Sequence, residues 1–551
     1  MPDQTSQNLI IPARTRRLDP WSTGAVIISV LVLLPIFAVI WFALNPTSNI
    51  WPHLWDTTLP RYLQNTAILM FAVGILAGVI GTVTAWLVTM YRFVGRGVLQ
   101  WALLMPLAVP AYVGAYALVD LLEFAGPIQS ELRGLFGWQS AQDYWFPAVR
   151  TRGAAVLVLS MALYPYVYIL ARAAFREQSG ASYEVARSLG AGPVSRFLRV
   201  GFPLARPAIA AGVAVVMMET VNDFGTVEYF AVQTLTTGIF SIWLQGGNLG
   251  GAAQIATCVL VIVVLLVTLE KFSRRKSKVF QTSRNARPAT ATILTKGQGA
   301  AAFTICLFPP LLGFVLPVLV LLSHSFDAAE WASPGLLKAI WRTVFVAGTA
   351  AIITVAGGVF MVYGVRLSGR RLPALLMPVT AIGYAAPGAV LALGLLIPLA
   401  ALDNGVADLI FAVTGFDPGL ILTGTSAALV LAYVVRFFAI AQGAADAALG
   451  RIAPNLPLAA RSLGQSAGQT LRSVHLPLVR ASVASTILLV FVDVVKELPA
   501  TLLLRPFGFE TLATRVYAKS SLENLAETAP AALIITLISL AAVALLARSS
   551  R

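Results

Sequence analysis

The chain reads as an all-α integral membrane protein, about twelve transmembrane helices in two parallel six-helix repeats, and three observations predict this. Apolar residues fill 58% of its 551 positions and charged ones only 11%, where soluble domains carry about 25% charged residues. The apolar residues gather into twelve runs close to the ~20 residues that cross ~30 Å of hydrocarbon. A 21-residue stretch also occurs twice, 274 residues apart and without a gap, which is the mark of an internal duplication.

Six spans are expected in the first half, at 23–44, 65–90, 97–122, 153–175, 207–226 and 252–269. Six more follow at 301–323, 343–365, 372–402, 421–441, 482–502 and 530–546. The first follows Arg14, Arg16 and Arg17, but its apolar run is 22 residues long and no small-x-small cleavage site precedes Trp41 and Phe42. It reads as a permanent anchor and not as a cleaved signal.

Basic residues orient the helices. With the N-terminus in the cytoplasm, 29 of the 39 Lys and Arg residues fall on the cytoplasmic side and 10 on the outer side. The loop 227–251 has no base, and 403–420 carries Asp403, Asp408 and Asp417 without one. Both termini are therefore expected in the cytoplasm. The net charge of +15 reports this orientation and not a nucleic-acid partner.

The expected division is a first half at 1–269, a basic cytoplasmic linker at 270–299 and a second half at 300–551. The linker holds Lys271, Arg274, Arg275, Lys276, Lys278, Arg284, Arg287 and Lys296 among Pro, Ser, Thr and Gly, a composition suited to a solvated segment touching anionic lipid. Six spans per half is an even number, so both halves enter the membrane the same way up, as parallel repeats do. Cys258 and Cys306 lie at opposite depths and are expected to pack as core residues, unbridged.

The repeated stretch runs Glu184 to Leu204 and Leu458 to Leu478. Between spans four and five of each half, it should form two short helices. Ser182 would cap the first, with Glu184 in its first turn and Gly190 stopping it. Pro193 would start the second, which ends before Pro203. The second copy repeats this with Pro457, Gly464, Ser466 as cap, and Pro477. One copy is an ordinary return loop; two copies with identical internal spacing point to docking elements for a partner with two matching sockets.

The pattern Glu-x-Ala, three residues, Gly, nine residues, apolar-x-apolar-Pro resembles the signature of permease subunits of binding-protein-dependent ABC importers. The resemblance implies the type I importer permease fold, with loops 182–203 and 456–477 as coupling helices seated in the ATPase. Glu184, Ala186, Gly190, Val200 and Pro203 match in the first copy, and Ala459, Ala460, Gly464, Val474 and Pro477 in the second. Leu458 stands where the acidic residue belongs, so the two contacts differ. No G-x-x-x-x-G-K-[S/T] loop is present in the chain, so ATP is expected in a separate subunit and no cofactor on this one.

At the same offset of 274, Glu219 falls on Asp493 and Asp223 on Glu497. Each pair is spaced i, i+4, on one face of a continuous helix. Carboxylates at membrane depth are costly and normally face a bundle interior or a water-filled cavity. They could cap helix ends or pair with bases, Lys496 being one candidate. They could instead line a cation path, since hard cations prefer carboxylate oxygen. The text around both pairs resembles fused, twelve-span permeases of bacterial ferric-iron importers, which implies a periplasmic iron-binding protein and a homodimeric ATPase as partners.

Pro106 and Pro110 interrupt the third span, Pro378 and Pro387 the ninth, as kinks or as hinges. An ABC permease for an organic substrate such as thiamine is the runner-up, and a gradient-driven secondary transporter the alternative outside the class. An enzyme is not expected: His53, His324 and His475 lie on separate loops.

Overall fold

The computed structural model describes residues 20–46, 49–275, 291–326, 328–368, 371–380, 383, 386–453 and 455–549. Among them, twelve helical stretches are long and apolar enough to cross a membrane. The first half contains α1 (Pro20–Leu44), α2 (Leu59–Met90), α3 (Ala111–Leu122), α4 (Arg152–Arg176), the short α5 (Gly180–Ser188), α6 (Phe202–Asn222), the short α7 (Gly225–Tyr229) and α8 (Leu249–Arg275). The second contains α9 (Lys296–Pro310), continued by α10 (Leu316–Ser323), then α11 (Pro334–Ser368), α12 (Gly388–Thr414), α13 (Ser426–Leu449), the short α14 (Asn455–Ser462), α15 (Leu476–Val495), the short α16 (Pro499–Leu504) and α17 (Leu525–Ser549).

The duplication survives at atomic detail. Thr151 and Thr425 cap α4 and α13, each accepting a backbone N–H through its side chain. Gly81 of α2 lies against the backbone of Tyr164 and Tyr168 in α4, where an added Cβ would come within 2.8 Å. A Cβ added to Gly358 of α11 would come within 2.9 and 3.0 Å of the backbone of Ala441 and Gln442 in α13. In both halves a missing side chain lets two long helices approach to backbone contact, the small-residue packing that membrane helices favour.

The halves are not side by side. Span α1 packs on α11 and α12 of the second half. Trp21 stacks on Phe360 at 4.8 Å, and Gly24 and Gly394 admit Phe360 and the Pro35 carbonyl where a Cβ would clash. Reciprocally, α9 lies on α2 and on the helix Arg96–Ala102, and Gly313 sits against the Met161 carbonyl. Each half has lent its first span to the other.

The Glu270–Gly299 stretch carries regular structure at both of its ends. Helix α8 runs on to Arg275, and Thr292–Ile293 (β2) pairs in parallel with Tyr91–Arg92 (β1) beside the end of α2. Thr295 then opens α9 with a capping box. Lys276, Lys278, Arg284 and Arg287 lie outside the described residues, as do Arg14, Arg16 and Arg17. Both cysteines are unbridged, Cys306 buried and Cys258 partly so.

Candidate functional site

Two arrangements stand out, one at the repeated loops and one in the centre of the bundle. At the loops, α5 and α14 end identically. Gly190 and Gly464 adopt φ +80° and +84°. Behind them the Ala191 and Gln465 N–H groups reach back to the carbonyls of Ala186 and Ala460, at 2.9 and 3.1 Å. Only a residue without Cβ takes that left-handed turn freely. Just before each glycine an apolar tip faces outward: Leu189 is 81% exposed and Leu463 84%. Glu184 is exposed too, and Ala460 is buried beneath its helix.

Two expectations about this loop are corrected. Helix α5 starts at Gly180, with Ser179 and not Ser182 at its cap, so Glu184 lies beyond the first turn. The second short helix does not stop before the proline. Residues Pro193–Arg196 continue through one widened turn, Phe197–Gly201, straight into α6. Residues Leu471–His475 do the same before α15. Pro203 and Pro477 have no N–H to give an i→i−4 bond, and the adjacent turn loosens to i→i+5. The repeated spacing up to the proline therefore encodes a bend, not an end.

What ties the loops to the spans was not read from sequence. Trp86, near the end of α2, packs against Phe175, Tyr183 and Phe197 with centroids 5.2, 5.9 and 5.1 Å away. Gly201 leaves the room it needs. At the matching place in the second half, the Tyr363 hydroxyl donates to the Ala467 carbonyl at 2.8 Å, and its ring meets His475 edge-on. One loop is held by an aromatic cluster, the other by a hydrogen bond and a single ring.

In the centre, the four carboxylates come together. Glu219, Asp223, Asp493 and Glu497 line a cavity of about 180 Å³ with Arg436, Lys496, Asn222 and Tyr112, roofed by Pro106, Leu107 and Pro110 of the broken third span. The members of each pair do not share a helix face, because α6 stops at Asn222 and α15 at Val495. Beyond those ends Asp223 and Glu497 each seize the first N–H groups of the next short helix. Asp223 accepts from the Thr226 and Val227 amides at 3.0 and 3.1 Å. Glu497 accepts from the Ala500 and Thr501 amides, both at 3.0 Å. These are helix N-termini, where a carboxylate satisfies otherwise orphaned donors and meets the positive end of the dipole. The capping alternative therefore describes Asp223 and Glu497, while Glu219 and Asp493 stay on their helices and face the cavity.

The base is a different one from that expected. Glu497 is paired with Arg436 of α13 at 3.1 Å. Lys496 instead donates to the Leu107 carbonyl at 2.6 Å, satisfying backbone that the break at Pro106 and Pro110 has freed. Arg436 was legible as a lone cation inside a span. Asn222 Oδ1 and the Tyr112 hydroxyl are buried on the cavity wall without hydrogen-bond partners among the described residues. Among the described residues no group of three or more His, Cys, Asp or Glu is placed to hold a metal ion. The arrangement is a lined passage with four acids and two bases, not a preformed chelate.

Comparison with known proteins agrees with this architecture. Residues 74–278 match the family described as the binding-protein-dependent transport system inner membrane component. The chain is 26% identical over 498 residues to the Fe(3+)-transport system permease protein FbpB 2 of Haemophilus influenzae, covering 88% of this chain and 89% of that one. It is 22% identical over 491 residues to the putative ferric transport system permease protein FbpB 1 of the same organism, covering 85% and 73%. The sulfate transport system permease protein CysT of Salmonella typhimurium aligns at 27% identity over 97% of its own length but 49% of this chain, as a single half should against a fused duplicate. With residues 74–278 matching that family, a repeated second half, and likenesses to ferric transport permeases over 88% and 85% of its length, this chain is a fused, two-half inner-membrane ABC permease of the binding-protein-dependent importer type.

Proposed function

We propose that this permease carries ferric iron, handed over by a periplasmic binding protein, into the cytoplasm by alternating access, driven by a homodimeric ATPase seated on α5 and α14. The observation that carries the substrate is the likeness to two ferric transport permeases over 88% and 85% of the chain. The cavity supports it: four carboxylates outnumber two bases there, and carboxylate oxygen suits a hard cation. The excess of basic residues on the face bearing α5 and α14 supports a cytoplasmic position for that face and for both termini. In this reading ATP binding draws the two exposed leucine tips together. Trp86 and Tyr363 pass the motion to the spans, and the cavity opens alternately to either side of the membrane.

The test is uptake of radiolabelled ferric iron into proteoliposomes containing the permease, its ATPase and its binding protein. Import should require ATP, persist with a proton uncoupler, and resist excess thiamine. Replacing Glu219 and Asp493 with their amides should lower uptake at least tenfold while leaving the complex assembled. Full uptake in that double variant removes the acids from the path; competition by thiamine overturns the iron assignment.

A further inference from the structure

On the face opposite α5, the first half carries a cleft of about 760 Å³ lined by Arg61, Arg150, Arg152, Gln64, Asn65 and Gln233 among others, with no carboxylate in its lining. Arg61 opens α2, and Arg152 opens α4. Neither guanidinium has an ion-pair partner among the described residues. Arg61 reaches only the Gln233 side-chain oxygen at 3.4 Å, and Arg152 only that of Asn65 at 3.3 Å. Arg150 is different. It bridges Glu123 of its own half, at 3.1 Å, and Glu523 of the other, at 2.7 Å.

Three arginines facing one opening repel each other, and weak amide contacts leave most of their forked donors free. Such donors match a carboxylate in two-point geometry. The duplicated site in the second half is built otherwise. At the offset of 277 that aligns the capping threonines Thr234 and Thr511, Gln233 becomes Glu510, which is ion-paired with Arg515 at 3.5 Å. Arg152, the residue after the cap of α4, has Ser426 as its counterpart after the cap of α13. There a carboxylate, Glu510, meets an arginine of the same edge; the first-half cleft has no carboxylate in its lining.

We propose that this cleft is a docking socket for an acidic surface segment of a protein partner, which rests on the proposed outward orientation of this face and makes the binding protein the occupant. Glutamate or aspartate side chains of the partner pair with Arg61 and Arg152. Arg150 lies beside them, and the arriving carboxylates compete with Glu123 and Glu523 for it. Docking at the first half thus loosens the Arg150 bridge that ties this edge of the first half to Glu523 of the second.

The test uses the full-length permease in nanodiscs and a fluorescent hexaglutamate peptide as probe, with binding read by anisotropy. Binding should weaken steeply with salt and fall at least tenfold in an Arg61→Glu, Arg152→Glu variant. The matched variant Lys338→Glu, Arg342→Glu, with the same charge change on the corresponding edge of the second half, should keep it. Equal loss in both variants, or no peptide binding to the parent, overturns the socket. Displacement of the peptide by equimolar inorganic phosphate also overturns it, in favour of a small-anion site. None of these readouts involves iron or ATP, so a failure of the substrate assignment leaves them unchanged.

Discussion

Removing one charge at each of two duplicated positions should have unequal structural consequences. Glu497 is 4% exposed, and both its oxygens are fully used. One accepts from Arg436 and the Ala500 amide, at 3.1 and 3.0 Å. The other accepts from the Thr501 amide and hydroxyl, at 3.0 and 2.9 Å. Glutamine turns one of these oxygens into a donor, and either rotamer sets an NH2 group against donors. A stranded buried backbone N–H costs about 1–3 kcal/mol, and Arg436 loses its charge partner, a loss of about 3–5 kcal/mol for a buried pair. Because the stranded amide and the lost pair overlap, Glu497→Gln should cost about 3–5 kcal/mol. Asp223 is more forgiving. One oxygen takes both amides, and the other takes only the Thr226 hydroxyl at 2.9 Å. That hydroxyl can turn and accept from an asparagine NH2, so Asp223→Asn should stay within about 1 kcal/mol of the parent. Thermal unfolding of the purified chain in detergent, followed by loss of the monodisperse peak, measures both. If Glu497→Gln melts with the parent, or Asp223→Asn falls as far as Glu497→Gln, the assignment of these acids to helix ends is wrong.

Adding a methyl group at Gly388 would place it 2.1 Å from Arg436 and 2.4 Å from Glu497, so Gly388→Ala should mimic the loss of that pair in the same melting assay. Gly81→Ala and Gly358→Ala force backbone apart in the α2–α4 and α11–α13 contacts and should each cost about 1–3 kcal/mol. Leu189→Ser with Leu463→Ser should leave melting unchanged within about 0.5 kcal/mol but abolish co-purification of the ATPase. Trp86→Ala should cost about 3–5 kcal/mol and leave ATP hydrolysis running without transport, whereas Tyr363→Phe removes one hydrogen bond worth about 1 kcal/mol and should only slow import.

Twelve spans and the two loops were legible because lipid and duplication both write long, regular signals. Gly190 and Gly464 fall where counting puts them, at positive φ, but Pro203 and Pro477 lie inside continuing helix and end nothing. Boundaries failed where a side chain outcompeted the helix. Span ten begins at Ser426 and not near Ile421, because the buried Asp403 takes the Leu422 and Thr423 amides and Thr425 caps the helix just beyond them. Spans five and eleven stop short because Asp223 and Glu497 capture the next turn. The i, i+4 spacing showed two acids per helix but not the backbone break between them. Trp86 and Tyr363 were invisible as a mechanical pair, since an aromatic inside an apolar run carries no distinguishing pattern until its neighbours are known.

The loan of first spans between halves has a consequence for how the chain is made. Helix α1 is synthesised roughly three hundred residues before α11 and α12, the surfaces on which Trp21 and Gly24 come to rest. Until the ribosome has delivered them, α1 has only α8 of its own half to pack on, and assembly of the first half stays unfinished while the second is still emerging. A gene cut at the linker would yield two fragments, each missing one wall and each carrying the other's, so neither could mature alone and the two would mature together.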